Sequence, residues 1–128
     1  MTAAPRVEIH LVLGGTFRLA LRQGVGSHEF AVAIGNLVAF APLGILVSVL
    51  ARKRSLLLVF TVAFLLSTAI ELGQLSVSAA VGFGYRTADV DDVVVNVFGA
   101  LIGYAAYLLF VALRTQVEPG RKSRSRRS

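Results

Sequence analysis

The sequence predicts an all-α integral membrane protein, a bundle of three transmembrane helices preceded by a short interfacial segment. Three long apolar runs carry this prediction, over residues 31–51, 56–80 and 93–113. Each approaches or exceeds the ~20 apolar residues that a helix needs to cross a ~30 Å hydrocarbon core. The chain is 55% hydrophobic and only 16% charged, whereas soluble domains carry about 25% charged residues. Its 128 residues suffice for one small bundle.

The distribution of cationic residues predicts the orientation of the three spans. Arg52, Lys53 and Arg54 separate the first two runs, and six further Lys and Arg residues follow the third run. The positive-inside rule therefore predicts a cytoplasmic loop at 52–54 and a basic cytoplasmic tail over 114–128. The connection over 82–92 is then external. We expect the tail to bind anionic lipid rather than nucleic acid.

The first 30 residues form an external N-terminal segment in this topology. Residues 7–21 are moderately apolar, but they are too few for a span and are interrupted by Glu8, His10 and Arg18. Either a short interfacial helix over residues 15–23 or a loosely ordered external loop fits this pattern. Because the chain has no cysteine, it has no disulfide and no thiolate metal site. No cofactor is expected.

Polar residues inside the apolar runs predict a single site in the outer leaflet. At 1.5 Å per residue, Asn36, Glu71 and Asn96 each lie roughly 5–9 Å inside the outer end of their helix. Gln74 shares a helix face with Glu71. An ionisable group at bilayer depth costs roughly 2.5–3.5 kcal/mol, which makes Glu71 the strongest functional candidate. The alternative for the amides is hydrogen bonding between helices.

Spacing within the third run predicts which helix face packs against protein. One helical stripe runs through Asp89, Asp92, Asn96, Gly99 and Gly103. Gly99 and Gly103 form a small-xxx-small pair that lets another helix approach closely. In the first run, Pro42 is expected to kink the helix, with Gly44 close behind it. Asp89 or Asp91 is expected to cap the third helix.

The ordered motifs resemble the VanZ-like family. They are Gly35-Asn36-Leu37, Phe40-Ala41-Pro42-Leu43-Gly44, Ile70-Glu71-Leu72-Gly73-Gln74, Arg86-Thr87-Ala88-Asp89-Val90-Asp91-Asp92, and then Asn96, Gly99 and Gly103-Tyr104. The resemblance covers roughly residues 35–107. It implies a small multi-pass protein of the bacterial cell membrane, from a family named for a protein associated with resistance to glycopeptide antibiotics, teicoplanin especially. Members usually have a further span ahead of the Asn36 block, so the resemblance also implies that an upstream span is missing here.

Together these observations predict a polar pocket open to the outer leaflet, lined by Asn36, Glu71, Gln74, Arg86, Asp89, Asp92 and Asn96. Its expected ligand is a lipid headgroup, a glycolipid or a lipid-tailed glycopeptide, with Arg86 paired to Glu71. Two alternatives stay open. One is a membrane enzyme acting on a lipid-linked substrate, with Glu71 as general base and a divalent cation held by Asp89 or Asp92. The other is a structural subunit that assembles with a membrane partner or oligomerises through Gly99 and Gly103.

Overall fold

Three membrane-spanning helices dominate the computed structural model, which describes residues 9–10, 14–52, 54–82 and 88–117. The elements in chain order are β1 (Ile9–His10), α1 (Gly15–Gln23), α2 (His28–Ala51), α3 (Leu56–Val81), β2 (Ala88–Asp89) and α4 (Val90–Val117). Helices α2, α3 and α4 are long and apolar enough to cross a membrane. The predicted helical membrane fold is thus confirmed, and α1 coincides with the interfacial helix considered over residues 15–23.

Capping residues, rather than hydropathy alone, set the helix ends. The Ser27 hydroxyl accepts a hydrogen bond from the Phe30 N–H at 3.3 Å, and Ser55 accepts one from the Leu58 N–H at 3.2 Å. Arg52 and Gly82 end α2 and α3 in the left-handed conformation, with φ of 50° and 71°. The first span consequently begins at His28, before the apolar run, and residues 114–117 continue α4 instead of starting the tail.

Helix α4 is the centre of the bundle. It packs most extensively against α2 and also against α3, whereas α2 and α3 contact each other much less. Three glycines bring the backbones of α2 and α4 together, because an added Cβ would overlap a carbonyl oxygen of the facing helix: Gly99 meets Leu37, Gly103 meets Ala41 and Gly44 meets Ala100. The order of these contacts makes α2 and α4 parallel neighbours. The close approach is the arrangement that small residues permit in membrane helices.

The core lies between the three spanning helices. Val59 and Ala63 of α3 pack with Val97, Ala100 and Tyr104 of α4, and Phe40, Leu43 and Val47 of α2 pack against this cluster. Large apolar side chains on the outward faces are exposed, as expected for surfaces that contact lipid. Helix α2 continues through Pro42, although proline has no N–H to donate to the Val38 carbonyl.

The N-terminal segment lies against the start of α4. Strand β1 pairs in parallel with β2, with Ile9 opposite Ala88 and His10 opposite Asp89. Gly14, at φ +83°, then leads into α1, which packs against α2 and α4. This two-residue strand pair was not predicted, because so short a segment carries no recognisable alternation in the sequence.

Candidate functional site

Buried polar side chains meet where α3 passes the N-terminal end of α4. Glu71 of α3 and Asp91 of α4 are each only 8% exposed, and Asn96 of α4 is 3% exposed. Charged residues are almost never this buried unless they are paired, and within a bilayer they usually have a functional role. These residues therefore define the candidate site.

Asp89 joins α3 to the start of α4. Its side chain accepts a hydrogen bond from the Asp91 N–H at 2.9 Å, so Asp89 caps α4 as expected. Its own N–H donates to Oε2 of Glu71 at 3.4 Å. Glu71 is thus directed at the backbone that precedes α4 rather than at lipid.

Asp91 connects the site to the N-terminal segment. Its Oδ1 accepts a hydrogen bond from the Gly14 N–H at 2.7 Å. A carboxylate in the first turn of α4 is also favoured by the helix dipole. The sequence predicts Asp91 only as a possible cap of α4, because nothing in the local sequence indicates a partner 77 positions away.

Asn96 links α4 to α3 one turn below Glu71. Its Nδ2 donates to the Ser67 hydroxyl at 2.8 Å, and Ser67 is itself completely buried. Within the described residues, Oδ1 of Asn96 is buried and has no hydrogen-bond partner. An unsatisfied buried acceptor costs about 1–3 kcal/mol, so this oxygen is an energetic exception within the bundle. Ser67 was missed from the sequence, although its spacing of four from Glu71 places both on one face of α3.

The remaining predicted site residues divide into two groups. Gln74 and Asp92 are half-buried and both have interaction partners. Asn36 is half-buried one turn before Phe40, on the side of α2 that packs against the core. Since the neighbouring Leu37 contacts Gly99, Asn36 lies within one helical turn of the depth of Asn96.

Arg86 lies outside the described residues, so the expected pair between Arg86 and Glu71 stays a prediction. Within the described part of the chain, no three His, Cys, Asp or Glu side chains are arranged to hold a metal ion. Glu71, Asp89 and Asp92, the residues considered for a divalent cation, therefore do not form such a group. Carboxylate and amide oxygens predominate in the site, and these groups accept hydrogen bonds from hydroxyl, amide or ammonium groups.

The fold and the site define a multi-pass membrane protein with a buried, acceptor-rich site at one end of its bundle. The model of the VanZ/LLP1 family matches residues 2–111, and the chain belongs to this family. The match extends beyond the motifs at 35–107 to the segment that covers the start of α4. Among curated proteins and among solved structures, none matches the chain.

Proposed function

We propose that this protein resides in the bacterial cell membrane and binds a cell-envelope ligand at the site around Glu71 and Asn96. The ligand classes are a lipid headgroup, a glycolipid and a lipid-tailed glycopeptide. The observation that carries the proposal is Oδ1 of Asn96, a buried acceptor without a partner among the described residues. Sugar hydroxyls and peptide amides supply the donor that this oxygen requires.

The position of the site favours a ligand with an apolar tail. The polar residues lie at the end of three spanning helices whose outward faces are apolar, including the exposed side chains of Ile70 and Val94 beside the site. A lipid-tailed molecule keeps its acyl chain in the bilayer while its polar part reaches Glu71 and Asn96. A free, fully polar ligand would make no favourable contact with these apolar side chains.

The other predicted residues complete the proposed site. In this proposal, Asn36, Gln74, Asp89 and Asp92 contribute further polar groups to the site, and Arg86 is the proposed cation for a phosphate or carboxylate. The chain belongs to the VanZ/LLP1 family. The resemblance to the VanZ-like family, which is named for a glycopeptide-resistance protein, supports the choice of a lipid-tailed glycopeptide among the three ligand classes.

Binding of teicoplanin to the protein in phospholipid nanodiscs tests this proposal. We expect Asn96→Leu and Glu71→Gln each to weaken binding about tenfold, because the first removes the amide acceptor and the second removes the carboxylate charge from a buried contact worth about 1–3 kcal/mol. Ser76→Ala is the matched control on α3, since the exposed Ser76 hydroxyl bonds only to the Leu72 carbonyl of its own helix among the described residues. De-acylated teicoplanin should bind more weakly than the intact molecule.

Two results would contradict the proposal. One is equal binding by the parent protein and both site variants. The other is equal binding of teicoplanin to nanodiscs that contain no protein. If Glu71→Gln also left teicoplanin resistance unchanged in a susceptible bacterial host, a structural role in a membrane assembly would account for the protein better.

A further inference from the structure

An open apolar groove lies between α2 and α3, and none of the polar residues of the candidate site lines it. It has a volume of about 570 Å³, and its walls include Ala39, Ile45, Leu46 and Val49 of α2 and Leu66 and Ile70 of α3. The groove exists because α4 packs against both of these helices, while α2 and α3 make few contacts with each other. All of its lining side chains are apolar, so its occupant must be apolar where it contacts the protein.

The groove leads to the cationic connection between α2 and α3. Its α2 wall runs from Ala39 to Val49, in the half of the helix that ends at Arg52. Arg52 and Arg54 are exposed at this end of the bundle, and Lys53 lies outside the described residues. The apolar wall of α2 therefore ends at Val49, one helical turn before Arg52, and Arg54 follows in the same connection.

We propose that this groove binds one acyl chain of an anionic phospholipid whose phosphate is held by Arg52 and Arg54. The wall from Ala39 to Val49 is roughly 15 Å long at 1.5 Å per residue. This length matches one leaflet, which is half of a ~30 Å hydrocarbon core. Guanidinium groups bind phosphate oxygens through charge-assisted hydrogen bonds, and cationic residues next to a span favour anionic lipids.

Arg114 provides a control at nearly the same depth. Because α2 and α4 are parallel with Ala41 beside Gly103, Arg114 of α4 lies level with Arg52. Its guanidinium lies 5.4 Å from the centre of the Phe110 ring, and no residue of α4 lines the groove. Arg114 therefore carries the same charge at the same membrane face without access to the groove.

Tryptophan fluorescence measures the occupancy directly, since the chain has no native tryptophan. Leu46→Trp places the reporter in the groove, and Leu109→Trp places one at similar depth on the exposed surface of α4. The bilayers contain equal fractions of phosphatidylglycerol and phosphatidylcholine. In one sample only the phosphatidylglycerol carries brominated acyl chains, and in the other only the phosphatidylcholine does. We expect brominated phosphatidylglycerol to quench the groove reporter more strongly than brominated phosphatidylcholine, and both to quench the Leu109→Trp reporter equally.

Charge substitutions then test whether the preference for phosphatidylglycerol depends on Arg52 and Arg54. Arg52→Gln and Arg54→Gln should each lower the preference for phosphatidylglycerol about fivefold, as expected for one cation at an anionic surface. Arg114→Gln should leave it unchanged. Equal quenching by the two lipids at Leu46→Trp, or an equal effect of Arg114→Gln and Arg52→Gln, would overturn the inference. A second reporter, Ile45→Trp, lies in the same groove and must also be quenched more strongly by brominated phosphatidylglycerol. None of these measurements depends on the proposed ligand at Glu71 and Asn96.

Discussion

Two buried side chains among the described residues, Ser48 and Asn96, donate their hydrogen bonds to different kinds of partner. Ser48, in the interface of α2 with α4, donates to the Gly44 carbonyl of its own helix at 2.7 Å. Asn96 instead depends on Ser67 of a different helix. Because the bilayer interior offers no water, a polar group that loses a partner on another helix has few replacements. The contact between Asn96 and Ser67 therefore contributes both to helix association and to the geometry of the site.

Removal of the Ser67 hydroxyl tests this contact. Ser67→Ala should lower the free energy of unfolding by about 1 kcal/mol, within the range of hydrogen bonds between membrane helices. The double variant Ser67→Ala with Asn96→Leu should lose less than the two single variants combined, because no amide is then left without its partner. Unfolding in bicelles gives these free energies. Thr61→Ala is the control, because the exposed Thr61 hydroxyl bonds to the Leu57 carbonyl of its own helix.

Strict additivity of the two single variants would contradict this account. It would indicate that Ser67 and Asn96 affect stability independently, despite their 2.8 Å separation. The same double variant also shows whether weaker ligand binding by Asn96→Leu results from a lost acceptor or from a destabilised bundle.

At the level of the helices, the sequence predicts what depends on local spacing. The three spans follow from their apolar runs, and the four-residue spacing of Gly99 and Gly103 identifies the face of α4 that contacts α2. The pairing of β1 with β2 and the bond from Gly14 to Asp91 are different, since they join segments far apart in the chain. Spacing rules apply only to residues that are close in the sequence, so these contacts could be identified only from the structure.

In the candidate site as well, some features follow from the sequence and others only from the structure. Burial of Glu71 and Asn96 at similar depth follows from their positions in the spans. The role of Ser67 depends on which face of α3 meets Asn96, and this is set by the helix rotation that tertiary packing selects. Asp91 is buried because the N-terminal segment lies against it, whereas the stripe from Asp89 to Gly103 gave no reason to include it.

Substitution of Gly103 tests the contact between α2 and α4. Gly103→Leu should destabilise the protein by about 1–3 kcal/mol or more, because its side chain would enter the backbone of Ala41 and separate the helices. Gly73→Leu is the matched control in α3, where an added Cβ meets nothing within 4 Å and leucine has the higher helix propensity. Thermal unfolding in detergent measures both. Equal melting temperatures for Gly103→Leu and the parent protein would disprove the close approach.

The whole molecule has an acidic end and a basic end. Glu71, Asp89, Asp91 and Asp92 lie around the N-terminal end of α4, while Arg52, Arg54 and Arg114 lie at the opposite end of the bundle. The alternating direction of α2, α3 and α4 places the acidic residues together although they are separated in the sequence. The positive-inside rule predicts that the basic end faces the cytoplasm, and access of an external glycopeptide to Glu71 depends on this orientation.

Cysteine labelling tests that orientation, and the absence of native cysteine makes each introduced thiol a unique reporter. Gly84→Cys lies in the connection between α3 and α4, and Ser123→Cys lies in the basic tail. In intact cells, a membrane-impermeant maleimide should label Gly84→Cys and should label Ser123→Cys only after the membrane is opened. The reverse pattern would place the acidic end in the cytoplasm. A glycopeptide outside the cell could not then reach Glu71, whereas the phospholipid groove would remain and would face the outer leaflet.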